Sequence, residues 1–206
     1  MKQSTLIVLK LLVWIAGLCP FAYIVWGALN NGLGHDPTEA IASATGLTAL
    51  WMLAVTLTIS PVRKLAPRLA WLIRFRRLIG LFMFFYASLH MLTWVALYNG
   101  FSIQAMLDDV TKRRFIVAGI ATWLLLLPLA LTSTNWAIRK LGGKNWARLH
   151  MLIYPAAICA AIHYWWKMKT GVISPAPFTL VLAVLLLARP VLAWIERKRK
   201  ARAAAA

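Results

Sequence analysis

Long apolar stretches alternate with short polar ones along the whole chain, and the pattern predicts six membrane-spanning helices. The stretches cover residues 11–28, 41–59, 78–98, 115–131, 149–166 and 178–195. A helix needs about 20 mainly apolar residues to cross the hydrocarbon core. Backbone groups in lipid must be satisfied within the segment, so each run is expected as an α-helix. Pro20, Pro128, Pro155 and Pro190 fall inside runs and are expected to kink them. No internal repeat is evident in the residue pattern, and the alanines at 203–206 are the one low-complexity stretch.

Composition agrees with this. Hydrophobic residues make up 62% of the 206 positions, against nearer half in soluble domains. The expected fold class is therefore all-α, a polytopic six-helix bundle forming one transmembrane domain over 1–206. The net charge of +18 would ordinarily raise nucleic acid as a partner. Here the bases lie between the apolar runs, which excludes that class in favour of a lipid bilayer. Many of the 11 tryptophans sit near run ends, as interfacial aromatics do. Lys2 and Lys10 precede the first run as in a signal peptide, but the run continues to Trp26 without a small-x-small site, so a retained span is expected.

Loop charge sets the orientation. One side carries the N-terminal lysines, the arginines and lysine between 63 and 77, those between 139 and 148, and the C-terminal cluster. The other side carries Lys112, Arg113, Arg114, Lys167 and Lys169. The richer side is expected to be cytoplasmic, with both termini inside, in a bacterial inner membrane. Arg189 lies late in the sixth run and is expected to snorkel toward that side.

Cys19 and Cys159 lie in apolar runs, so no disulfide framework is expected, and no Cys-x-x-Cys-His is present for covalent haem attachment. His35 lies in a Gly-rich loop and is expected to be solvated. His90, His150 and His163 are embedded, and ionisable groups inside a membrane are functional candidates. The third and fifth runs point the same way. Arg77 and His90 are 13 residues apart on one, His150 and His163 13 apart on the other, about 20 Å in each case. His90 therefore stands level with His163, and Arg77 with His150.

Two imidazoles at one depth on neighbouring helices can bind the iron of a flat macrocycle from both faces. His90 and His163 are thus candidate axial ligands of an outer-leaflet b-type haem. The competing reading is interhelical hydrogen bonding by the same histidines. Met83, Met91, Met151 and Met168 are alternative ligands. At the lower level a guanidinium has no lone pair for iron. His150 either joins a second haem with different help, or serves a flavin or quinone with Arg76, Arg77 or Arg148 as anion partners; the third reading is that Arg77 belongs only to the basic belt. All five acids, Asp36, Glu39, Asp108, Asp109 and Glu196, lie outside mid-membrane, which weakens an ion-coupled transporter.

Several of these segments resemble the MsrQ (YedZ) family: RFRRLIGL at 74–81, SLHMLTW around His90, TSTNWAIRKLGGKNWARLHMLIY at 132–154, IHYWWKMK around His163, ISP at 173–175 and the loop GLGHDPTEAI. The likeness runs from about Leu11 to Leu187. It implies a ferric-reductase-like transmembrane domain with haem b, haem-linked histidines at His90, His150 and His163, and FMN as a further cofactor. It implies electron transfer from the quinol pool, or from a cytosolic flavin reductase, to a periplasmic molybdopterin enzyme, MsrP, that repairs oxidised methionines in envelope proteins. The wider superfamily carries four such histidines, and Arg77 stands here where the fourth is expected. No catalytic residue or stand-alone substrate chemistry is expected. The rivals are a free-standing ferric or quinone reductase, and a permease or scaffold with structural histidines.

Overall fold

The computed structural model describes residues 3–168 and 174–204; Lys2, Lys169, Ile173 and the last two alanines lie outside the described residues. Among the described residues there is no strand. Helix α1 (Gln3–Leu29) is followed by α2 (Pro37–Leu65), a 3₁₀ segment (Pro67–Arg74) and α3 (Arg76–Leu92), which runs on as a π-helical turn through Thr93–Tyr98. A short α4 (Ile103–Lys112) leads into α5 (Arg114–Leu131). Two one-to-two-turn helices, α6 (Asn135–Leu141) and α7 (Gly143–Leu149), a 3₁₀ turn (His150–Leu152), α8 (Ile153–Lys167) and α9 (Ala176–Ala204) complete it.

Among the described residues five helices are long and apolar enough to cross a membrane: α1, α2, α3 with its π extension, α5 and α9. The predicted fifth span differs from the other five. Its first three residues are 3₁₀, and only Ile153–Lys167 is α-helical. Pro155 explains the break. It occupies the first turn of α8, where its missing N–H costs nothing, whereas in a helix that began at Leu149 it would lie in the interior and break an intrahelical bond. The two pieces together still reach about 28 Å, close to the hydrocarbon thickness of about 30 Å. The chain is a multi-pass membrane protein.

The closest helix pairs are α2 against α3 and α5 against α8. Their shared core joins Leu53, Leu57, Met83, Leu126, Leu129 and Ile153 to Ala156, Ala157 and Ala160 of α8. Ala156 and Ala157 are fully buried. Association in lipid depends on close packing, and small side chains allow it. Outward-facing residues such as Trp14, Trp51, Leu124 and Val184 stay exposed, as lipid contacts should.

Two kinks are repaired from neighbouring helices. Pro20 bends α1, and the Tyr86 hydroxyl of α3 enters the gap, donating to the Gly17 carbonyl at 2.6 Å and accepting from Phe21 N–H at 3.0 Å. In an unbroken helix those two groups would bond each other. In α2, Pro61 has no N–H to offer the Leu57 carbonyl four residues before it. Arg189 of α9 supplies the donor, from Nη2 at 3.1 Å, while its Nη1 donates to Tyr154 Oη at 3.1 Å. The guanidinium also lies 5.2 Å from the centre of the Tyr154 ring. Arg189 is thus held by partners on α2 and α8.

Candidate functional site

His90 comes from the last turn of α3 and His163 from α8. Their ring centres are 5.9 Å apart and their planes cross at 83°. The sequence-level expectation that they stand at one depth therefore holds. His90 Nδ1 lies 2.8 Å from the Ala42 carbonyl of α2. His163 Nδ1 lies 2.7 Å from the Phe115 carbonyl of α5. A carbonyl can only accept, so both Nδ1 atoms carry the proton and both Nε2 atoms keep their lone pairs. This is the arrangement that orients a metal-bound histidine.

Each ring also lies against a glycine one turn beyond its carbonyl. A Cβ on Gly46 would meet the His90 ring at 3.0 Å, and one on Gly119 would meet the His163 Nδ1 at 2.8 Å. The two seats are the same device. Ala42, Gly46 and His90 recur 73 residues later as Phe115, Gly119 and His163. The hairpin α2–α3 and the pair α5–α8 are therefore a structural repeat, correcting the expectation of none. Few side chains match across it; what repeats is a backbone carbonyl, a missing Cβ and an imidazole.

The same offset relates Arg77 to His150, and the structure places both on one cavity of about 260 Å³. Arg76, Thr56, Gly80, Met83, Phe84, Leu126 and Trp146 also line it. His150 Nε2 is 3.2 Å from Thr132 Oγ1, and its ring stacks on Trp146 at 3.8 Å. Trp146 Nε1 donates to the Thr132 carbonyl at 2.9 Å, so all three residues form one unit. Arg77 donates to Asn135 Oδ1 at 2.7 Å, which ties it to α6. Arg148 is exposed and absent from the lining. Of the three candidate arginines, the site assembles Arg76 and Arg77 only.

Of the remaining candidates, Met83 alone among those placed here reaches one of the two levels. His35 is exposed in its loop. Met151 is 55% exposed, and Met83 lines the lower cavity. At the end of the bundle nearer His90 and His163, Glu39 accepts from Lys167 Nζ at 2.6 Å, Tyr98 Oη at 2.7 Å and Ser43 Oγ at 2.8 Å, and so joins α2, α3 and α8. Among the described residues no group of three or more His, Cys, Asp or Glu side chains comes together. Gly46, Gly119, Trp146, Thr132 and Asn135 were not legible as site residues. The 73-residue offset shared by the two histidines and by the two glycines was the available signal.

Comparison with known proteins places this geometry. Residues 45–161 match the family described as ferric reductase like transmembrane component. The chain is 44% identical to the protein-methionine-sulfoxide reductase heme-binding subunit MsrQ of Herminiimonas arsenicoxydans, over 96% of this chain and 90% of that protein. It is 44% identical to the subunit of the same name from Xanthomonas oryzae pv. oryzae, over 99% and 96%, and to that from Bordetella pertussis, over 94% of each. No solved structure matches the chain. With matches of this extent, the chain belongs to the MsrQ family and carries its ferric-reductase-like transmembrane domain.

Proposed function

We propose that this chain is a membrane electron-transfer subunit in which His90 and His163 hold the iron of a b-type haem. The observation that carries this reading is the facing imidazole pair, with each Nδ1 committed to a carbonyl. Two metal–nitrogen bonds of about 2 Å, plus the distance from each nitrogen to its ring centre, require centres about 6 Å apart. The observed separation is 5.9 Å. Two nitrogens are too few to hold a bare ion, and a porphyrin would supply the other four donors. When bound, a bis-histidine haem supplies reversible one-electron transfer with no open coordination position. The chain's own part is to fix two neutral imidazoles at one depth and exclude water from them.

The names of the relatives support a place in a methionine sulfoxide reductase system. We take the acceptor to be a periplasmic molybdopterin reductase, MsrP, and the donor to be the quinol pool or a cytosolic flavin reductase. The membrane is the bacterial inner membrane, with both termini cytoplasmic. The lower cavity, at about 260 Å³, falls just under the usual range of about 300–1,000 Å³ for whole small-molecule ligands. It suits a quinone head group, or the ring end of FMN, with Arg76 and Arg77 facing a reduced oxygen and His150 beside it. Arg148 has no part in this reading.

The test is spectroscopic. Purified protein from haem-replete cells is expected to show a Soret band that moves on dithionite reduction, and His90→Ala or His163→Ala is expected to remove most of it. Colourless wild-type protein would favour a permease or scaffold with structural histidines. Haem-bearing protein that reduces ferric chelates at full rate without a partner would favour a free-standing reductase.

A further inference from the structure

Gly46 and Gly119 sit where a side chain would crowd a histidine ring. Each lies in the middle of a helix, where glycine costs about 1 kcal/mol relative to alanine. Neither is at a turn, and neither has a positive φ. What each position supplies is the absence of a Cβ, at 3.0 Å from the His90 ring and 2.8 Å from His163 Nδ1. A Cβ contact under 3.0 Å, as at Gly119, is essentially never seen, and one of 3.0 Å, as at Gly46, requires the neighbour to give by a few tenths of an ångström; the neighbour at each site is a ring whose nitrogen is already bonded to backbone. An imidazole pushed away from the glycine would also leave the carbonyl one turn earlier, Ala42 or Phe115.

We propose that Gly46 and Gly119 are positioning residues for iron ligation. Each seats one imidazole against its carbonyl, and together they keep the two ring planes crossed near the observed 83°. The angle has an electronic consequence. Crossed imidazoles donate equally into the two iron d orbitals perpendicular to the haem, leaving them nearly degenerate. The ferric low-spin signal is then strongly anisotropic. Rotation of one ring toward the other lifts the degeneracy and moves the lowest-field feature. This proposal rests on the assignment of His90 and His163 as ligands and adds what fixes their orientation.

The experiment compares wild type, G46A, G119A and G17A by ferric electron paramagnetic resonance and by redox titration of the haem that remains bound. Gly17 is the control for packing alone, because a Cβ there would meet the Phe82 ring at 2.6 Å, away from either histidine. G119A is expected to shift the lowest-field feature and the midpoint potential, and G46A to shift both by less, following the two clearances. G17A is expected to lower yield and thermal stability while its bound haem keeps the wild-type signal. Wild-type signal and potential in the haem of G46A, or of G119A where it accumulates, would overturn the proposal; if G119A does not accumulate, G46A decides. Wild-type protein lacking a bis-imidazole signal would instead defeat the ligand assignment itself.

Discussion

At the scale of single residues, the chemistry is carried by what each side chain bonds. Tyr86 is fully buried and its hydroxyl closes the gap in α1. Tyr86→Phe leaves the Gly17 carbonyl and Phe21 N–H without a partner in lipid, which costs about 1–3 kcal/mol. A lower unfolding temperature in detergent, with the haem spectrum unchanged, is the expected result. Glu39 and Lys167 are both partly exposed, so their pair adds at most about 1 kcal/mol to stability. Its electrostatic effect is more informative. Lys167 lies one turn beyond His163, and Glu39→Gln leaves its charge uncompensated, which favours the reduced iron. A raised midpoint potential in E39Q, and a lowered one in Lys167→Gln, are expected in the same titration. His90 and His163 were legible because an ionisable residue stands out in an apolar run. Their glycine seats were not, because a glycine in a membrane helix has many causes and only the tertiary approach distinguishes them.

At the scale of the element, proline positions decide where one helix needs another. Arg189 and Pro61 form a pair that neither helix explains alone. Arg189→Met leaves the Leu57 carbonyl orphaned, with a cost of about 1–3 kcal/mol. Pro61→Ala gives that carbonyl an intrahelical donor. The double variant R189M/P61A is therefore expected to recover part of the loss, and thermal unfolding of the four proteins of that cycle measures the coupling. Strictly additive effects would contradict the link. The sequence reading missed it because the predicted second span ended at residue 59, whereas α2 continues to Leu65 and contains the proline. The predicted fifth span is not among the five long apolar helices: its α-helical part begins only at Ile153, with Pro155 in the first turn, which hydropathy does not record.

At the scale of the whole molecule, two similar helix pairs face each other across two levels. One level is closed by paired imidazoles, and the other by a cavity where Arg77 takes the place that pairs with His150. The all-α membrane architecture and the pairing of His90 with His163 at one level followed from run lengths and spacing. The repeat did not, because its common features are backbone groups and an absent atom. The charge distribution gives a further expectation. A reporter fused at the C-terminus should be active on the cytoplasmic side, and a single cysteine introduced at Gln104 of α4 should react with impermeant reagent from outside. The reverse result would invert every assignment of donor and acceptor side.

The most direct test is near-infrared magnetic circular dichroism of the oxidised, purified protein, because the ligand-to-iron band there identifies the axial pair. We expect a bis-imidazole band in wild type that is lost in both His90→Ala and His163→Ala. A histidine–methionine band, or a bis-imidazole band that survives loss of either residue, would contradict the pairing of His90 with His163.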